Sequence, residues 1–520
     1  MTTKEANEIQ EVDYLDKRRA ALEEIDNAKF DWFHIRACLV AGTGFFMDAY
    51  DIFAVNFASA MLGYVYFAHQ NNTVPNNIDL GLKVSASIGT LLGQLIFGWM
   101  ADRLGRKRMY GIELMIIIVA TLGSSVSGDG YAVTVCGTIM FWRVILGFGI
   151  GGDYPLSAII TSEFANKKNR GAMMAAVFAM QGFGILAAAI VALIVVASFK
   201  NRIQDDVTSI DYCWRLVLGI GALPGLVALY FRLTVPESPR YTMDIERDIN
   251  QASQDITTVL STGKYKEREV DEPVVRIDVP KSSWADFGKY FGKWKNGKIL
   301  VGTAVSWFAL DVAFYGIGLN NSIILNAIGF SNDPDPYTSL KNIAVGNIII
   351  SAMGTVPGYW FTVLFVDRWG RKTIQLMGFT VLTILFIVVG AAYHQIKNAS
   401  IALFIVFFTL LQFFLNFGPN TTTFIVPGEV FPTRYRSTGH GISAASGKLG
   451  AIIAQVGFSK LKDIGGKNEF VPQLLLIFSA WMFIGLLSSL LIPETKGLSL
   501  EELSNEDLFP KEEKEKKERN

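Results

Sequence analysis

Gly151-Gly152-Asp153-Tyr154-Pro155-Leu156-Ser157-Ala158-Ile159-Ile160-Thr161-Ser162-Glu163 follows directly on Arg143-Val144-Ile145-Leu146-Gly147-Phe148-Gly149-Ile150. An apolar, glycine-spaced helix here takes in an aspartate, a tyrosine and a proline. Hydrocarbon tolerates such an interruption only where the helix lines a protein interior or a water-filled cavity. An acid at that depth is costly and marks a functional site. The stretch therefore predicts a membrane helix turned toward a cavity.

Composition agrees. The 520 residues are 51% hydrophobic and only 18% charged, with a mean hydropathy of +0.33. The charges cluster between long apolar blocks, the pattern of a polytopic helical membrane protein lying in a lipid bilayer. Lys plus Arg equals Asp plus Glu, so nothing points to a nucleic-acid partner. Cys38, Cys136 and Cys213 have no metal-type spacing and read as packed small hydrophobes. No nucleophile, metal or cofactor constellation suggests an enzyme. The polar opening stretch, Met1 to Phe30, predicts no cleavable secretory leader, the first membrane helix serving as insertion signal.

Apolar blocks long enough to span fall near 36–66, 81–101, 109–127, 132–160, 172–198 and 214–235, then near 299–327, 343–366, 373–393, 401–427, 438–459 and 471–492. They divide the chain into a cytoplasmic tail (1–35), a six-helix half (36–235), a charged cytoplasmic linker with some amphipathic helix (236–298), a second six-helix half (299–492) and a cytoplasmic tail (493–520). The expected fold is all-α, with twelve transmembrane helices. Basic residues gather at Arg103 to Arg108, at Lys167 to Arg170 and at Arg368 to Lys372, whereas Ala68 to Leu80 has no lysine or arginine. The basic loops, and both termini with them, are therefore expected in the cytoplasm. The sequons at Asn71 and Asn398 then fall outside, as does one mild exception, the basic loop Lys460 to Lys467.

The two halves repeat. Asp102-Arg103-Leu104-Gly105-Arg106-Lys107 returns as Asp367-Arg368-Trp369-Gly370-Arg371-Lys372. Glu163 with Arg170 returns as Glu429 with Arg436, at an offset larger by one position, and Pro236-Glu237-Ser238 as Pro493-Glu494-Thr495. Two parallel halves facing each other across a central cavity follow from this. Asp102, Arg103, Arg106, Arg143, Glu163, Arg170, Asp367, Arg368, Arg371, Glu429 and Arg436 are read as gate or structural residues, the repeated loop motifs closing the cytoplasmic side and Arg143 partnering other groups.

Within the apolar blocks nearly the same offset relates Asp48 to Asp311, Tyr154 to Asn420 and Gln181 to Lys448. A substrate on the pseudo-twofold axis meets these six from both sides. Asp48 and Asp51 lie three residues apart, on one helical face. Burial and a neighbouring acid both favour a protonated carboxyl, the chemistry that a proton-coupled carrier needs. Asp153 is a third candidate for the proton path, and Arg143 lies roughly 15 Å before it along the helix. Trp307, Asp311 and Tyr315 recur every four residues and share a face. Lys448 sits between small residues in mid-membrane, cannot snorkel, and needs an anion. Neutral donors around one lysine suit a small tetrahedral oxyanion. Protonated phosphate has P–OH donors for an aspartate to accept, whereas sulfate has none, so Asp311 is the expected selectivity residue.

These motifs, with Asn416-Phe417-Gly418-Pro419-Asn420-Thr421-Thr422-Thr423-Phe424, closely resemble those of the fungal and plant high-affinity phosphate:proton symporters, a branch of the major facilitator superfamily. The resemblance runs from about Phe30 to Leu500. It implies substrate contacts at Tyr154, Gln181, Trp307, Asp311, Tyr315, Asn420 and Lys448, and proton-path roles for Asp48, Asp51 and Asp153. The partners implied are inorganic phosphate and protons, at a fungal plasma membrane, with no cofactor and no metal. Sugar porters share Arg143, the Gly147/Gly149/Gly151 run and the Pro-Glu-Ser-Pro-Arg end, but typically place paired glutamines in the seventh helix. A carrier of sugar or phosphodiester, and a phosphate sensor, are the competing readings.

Overall fold

The computed structural model describes residues 26, 30–233 and 283–504, without the side chains of residues 33, 107 and 108. Residues 236–282 of the expected linker, with Pro236-Glu237-Ser238, and residues 505–520 of the tail lie outside the described residues.

The described residues form twelve helical spans: α1 (Trp32–Tyr66), α2 (Asn76–Leu104), α3 (Arg106–Ser125), α4 (Val135–Phe164), α5 (Arg170–Ser198), α6 (Val207–Leu233), α7 (Trp294–Gly318), α8 (Pro336–Trp369), α9 (Arg371–Ala391), α10 (Ile401–Val430), α11 (Arg436–Leu461) and α12 (Val471–Ser489). Ten are long and apolar enough to cross a membrane. The other two are α3, whose apolar part is Met109–Ser125, and α11, which carries Arg436, His440 and Lys448 in its buried face. Leu92, Val119, Phe141, Ile194, Leu364, Ile384, Val406 and Phe483 lie exposed on the flanks. Such a belt is costly in water and suited to lipid.

Local chemistry explains the ends and breaks. Asp335 caps α8, its Oδ2 accepting the Thr338 N–H at 3.1 Å, with Pro336 at the first helical position. The tight turns from α2 to α3 and from α8 to α9 each use one glycine of the repeated motif, Gly105 at φ +94° and Gly370 at φ +98°. Only glycine enters that region without strain, which is why both copies keep it. In α10, Phe417 and Gly418 leave the helical conformation before Pro419 restarts it. The hydroxyls of Thr362 and Thr421 bond the freed Asn416 carbonyl at 2.8 and 3.0 Å. The break thus does not leave this carbonyl stranded. The expected seventh span (299–327) is shorter, because Asn320 folds back onto the Gly316 carbonyl at 2.8 Å. A separate short helix, Asn321–Ala327, follows it.

The stretch around Asp153 is not interrupted: α4 runs unbroken through Pro155. Its glycines serve another purpose. A Cβ on Gly147 or Gly151 would collide with the backbone of Ala86 or Thr90, and one on Gly89 with that of Val144. Alternating glycines on α2 and α4 let the two backbones approach closely, the usual way membrane helices gain packing energy.

Two structural halves result, α1 to α6 and α7 to α12. They meet along equivalent seams, α2 on α11 and α8 on α5.

Candidate functional site

Midway along the bundle, five helices bring together all seven expected contact residues, none more than 3% exposed. The Lys448 ammonium on α11 donates to Asp311 Oδ2 at 2.9 Å and to the Tyr315 hydroxyl at 2.8 Å, both on α7. It also lies over the Tyr154 ring, 5.1 Å from the centroid. Tyr154 (α4) accepts from Gln181 Nε2 (α5) at 3.1 Å. Trp307 packs 6.4 Å from Tyr154. Gly447 makes room beside them, since a Cβ there would lie 2.6 Å from Trp307 and 2.9 Å from Asp311 Oδ2.

Asn420 joins through a residue that sequence reasoning missed. Its Nδ2 donates to the Tyr359 hydroxyl (α8) at 2.8 Å, and the Tyr359 hydroxyl donates in turn to Gln181 Oε1 at 3.4 Å. A signal existed: the offset that carries Asp102 onto Asp367 carries Gln94, another buried polar residue of an apolar block, onto Tyr359.

One turn toward the basic loops, Phe45, Phe178 and Phe424 pack as an aromatic floor, with Phe178 and Phe424 stacked at 4.4 Å. On the opposite side Phe53 stacks on Tyr315 at 6.1 Å. Asn56 Nδ2 bonds the Gly318 carbonyl at 2.9 Å. The site is thus closed from both ends.

The three candidate proton-path acids have different surroundings. Both carboxyl oxygens of Asp48 are buried and have no hydrogen-bond partner among the described residues. Asp51 turns into its own half, accepting from Thr121 Oγ1 at 2.7 Å. The two acids therefore do not bond each other, although they are three residues apart. Asp153 is ion-paired: Arg232 Nη2 reaches its Oδ2 at 2.6 Å while Nη1 reaches Glu113 Oε1 at 2.8 Å, all three fully buried. Ser157 donates to the other Asp153 oxygen at 2.5 Å, and Arg232 lies over the Tyr110 ring at 4.1 Å. Glu113 and Arg232 were overlooked because each sits within a turn or so of an expected helix end, where a charge reads as interfacial.

At the basic-loop end two equivalent ionic clusters cross between halves. Glu163 meets Arg436 at 3.0 Å and Arg106 at 3.6 Å; Glu429 meets Arg170 at 2.8 Å and Arg371 at 2.9 Å. Asp102 accepts the backbone N–H of Ser437 and Thr438 at the start of α11, at 3.2 and 2.7 Å. Asp367 does the same for Ala172 at the start of α5, at 2.8 Å. Glu494 accepts from the N–H groups of Arg371 and Lys372, both at 3.0 Å. Two expected members lie elsewhere. Arg103 and Arg368 each follow the aspartate of the repeated motif by one residue, which turns them about 100° away to the exposed surface; Arg103 stacks over Trp99 at 4.7 Å. Arg143 lies roughly 30 Å along α4 from Glu163. It binds backbone carbonyls of Leu82, Asp51 and Ile52 at 2.9 to 3.4 Å, clamping α4 to α1 and α2.

Two helical halves, a polar site closed between them and ionic clusters bridging them at one end define a membrane carrier. The chain belongs to the sugar (and other) transporter family, whose sequence model matches residues 37–506. It is a multi-pass integral membrane transporter and not an enzyme. It is 50% identical to a repressible high-affinity phosphate permease of Neurospora crassa, over 94% of this chain and 90% of the relative. An inorganic phosphate transporter of Saccharomyces cerevisiae is 46% identical, over 95% of this chain and 88% of the relative. A low affinity inorganic phosphate transporter of Petunia hybrida is 43% identical, over 94% and 95%. Among solved structures, the major facilitator proton:xylose symporter XylE bound to 6-bromo-6-deoxy-D-glucose superposes with a TM-score of 0.69 at 21% identity, covering 91% of this chain and 98% of that one. A partially occluded inward-open form from E. coli gives 0.63 at 20%, covering 88% and 98%. The fold is the expected major facilitator one, of twelve helices in two pseudo-symmetric halves.

Proposed function

We propose that the protein is a proton-coupled symporter that imports inorganic phosphate by alternating access of its two halves. The observation that carries this reading is the buried Lys448–Asp311–Tyr315 cluster, ringed by Tyr154, Gln181, Trp307 and Asn420. The phosphate transporters at 43 to 50% identity support the same substrate.

Before phosphate arrives, Lys448 is neutralised by Asp311, so the closed empty site carries no stranded cation. Phosphate supplies a competing partner for the ammonium, and its P–OH groups donate to the Asp311 carboxylate. Tyr154, Tyr315, Trp307, Gln181 and Asn420 complete the shell as donors. Sulfate has no proton for Asp311 and is rejected, because a buried carboxylate facing an unprotonated oxyanion is repulsive.

Asp48 is the acid assigned to carry the transported proton: it is buried, and nothing among the described residues bonds its carboxyl. An ion in that position costs several kcal/mol, which a proton removes. Asp51 and Asp153 flank it, Asp153 through its pair with Arg232. The basic-loop end faces the cytoplasm of the cell, with both termini there and the plasma membrane as location, because lysine and arginine concentrate in those loops. The clusters at Glu163 and Glu429 hold that side shut and part when the halves rock.

The test is uptake of labelled phosphate into proteoliposomes, with and without an inward proton gradient, and with sulfate as competitor. Gradient-driven uptake indifferent to sulfate supports the reading. Uptake that ignores the gradient removes the coupling, and no uptake removes the substrate.

A further inference from the structure

A cavity of about 580 Å³ opens at the end opposite the basic loops, separate from the site between Lys448 and Asp311. Its charged lining consists of Lys83, Lys462 and Lys467 against Asp79 and Asp463. Lys462 and Lys467 come from the α11–α12 loop, the stretch that departs from the distribution of basic residues elsewhere in the chain. The basic residues there therefore have a location, the wall of a funnel.

Lys83 stands at the funnel floor, 4% exposed. Its ammonium meets Asp79 Oδ2 at 2.7 Å and the Asn320 Oδ1 at 3.0 Å. Asn320 Nδ2 donates to Gln455 Oε1 at 3.1 Å, and Gln455 Nε2 to the Tyr315 carbonyl at 2.6 Å. Tyr315 is a direct partner of Lys448. These hydrogen bonds lead from Lys83 at the funnel floor through Asn320 and Gln455 to the backbone of Tyr315, the residue whose hydroxyl is the partner of Lys448.

We propose that this funnel is a second, lower-affinity phosphate subsite, in which Lys462 and Lys467 attract the anion and Lys83 receives it above the closed central site. This rests on the phosphate reading. Lysines on low-dielectric walls focus the field and raise the local anion concentration, with gains of about 10- to 1,000-fold in on-rate for strongly steered cases. Burial, with Lys83 and Lys467 close by, lowers the pKa of Lys462 against the opposing pull of Asp463 and Asp79. An arriving anion relieves that cost. Asp79 meanwhile keeps Lys83 paired when the funnel is empty, as Asp311 does for Lys448.

The test compares Lys462→Gln/Lys467→Gln with the wild type in proteoliposomes, across a range of ionic strength. The expected result is a fall in kcat/KM of about 5- to 10-fold with kcat unchanged and a flatter salt dependence, restored by Lys462→Arg/Lys467→Arg. Unchanged KM and salt slope would overturn the proposal. A second measurement does not depend on transport: acylation of Lys462 and Lys467 by a water-soluble active ester in purified Lys448→Ala protein, with and without millimolar inorganic phosphate. Protection by phosphate supports the funnel even if wild-type uptake fails and the symport reading falls; equal acylation rates with and without phosphate sink the subsite.

Discussion

The Lys448 ammonium lies 2.9 Å from the Asp311 carboxylate on the neighbouring helix, and each side chain is 2% exposed. Neither charge has water to fall back on. The pair is therefore both costly to break and the place where an incoming anion must compete.

Removing one partner leaves the other charge buried and alone, a change of about 3–5 kcal/mol. Lys448→Ala is expected to lower phosphate binding by at least 100-fold, as measured by equilibrium binding of labelled phosphate. Asp311→Asn is expected to abolish uptake and to let sulfate compete for binding. If sulfate stays excluded in that variant, selectivity comes from another residue.

Gly447→Ala offers a milder perturbation of the same place. Its Cβ would press on Trp307 Cδ1 at 2.6 Å and on Asp311 Oδ2 at 2.9 Å. The expected outcome is a several-fold rise in KM for phosphate in a protein that still folds, with a modest fall in its thermal midpoint from the overpacking. A wild-type KM would mean that this wall does not touch the substrate.

The acids on the N-terminal half are predicted to separate by experiment. Asp48→Asn keeps the shape and removes the titrating group, so phosphate should still bind while uptake stops responding to the proton gradient. Asp153→Asn instead weakens the partner of buried Arg232 and should lower the thermal unfolding midpoint. Gly44→Ala should mimic it, since a Cβ there would overlap Arg232 and Asp153. Equal gradient responses of Asp48→Asn and the wild type would take Asp48 off the proton path.

Glu163→Gln and Glu429→Gln test the pseudo-symmetry directly. Each glutamate bridges two arginines, one from either half. Both variants should open the basic-loop end to thiol reagents, read from single cysteines introduced beside Phe45 or Phe178, with phosphate binding retained and uptake slowed. A large asymmetry between the two would show that only one cluster holds the gate.

Much of the fold was legible because it rests on patterns one-dimensional in the chain. Spans of about 20 apolar residues follow from bilayer thickness. The halves show in the motif at Asp102 and Asp367, whose glycines turn at φ +94° and +98° in the same way. Because that repeat is so well kept at the basic-loop end, nearly the same offset also led to Asp311, Asn420 and Lys448. The seven expected contact residues all sit where a polar group interrupts an apolar block, a cost that only a specific partner can offset.

What the sequence by itself determined was therefore the membrane-spanning architecture, the twofold relation and the polar residues that had to be satisfied somewhere. Only the tertiary structure decided which partner satisfies each. It turned Asp51 toward Thr121 and left the Asp48 carboxyl without a hydrogen bond among the described residues, though the two acids are neighbours on α1. It joined Asp153 to Arg232, far along the chain, and sent Arg143 to backbone carbonyls on two other helices. It also brought Tyr359 into the site and Lys462 and Lys467 to the rim of a funnel. The physical reason is that a buried charge is indifferent to distance along the chain. It takes the nearest complementary group that helix packing presents, and that packing is set by glycine contacts and breaks such as Gly418 acting across many helices at once.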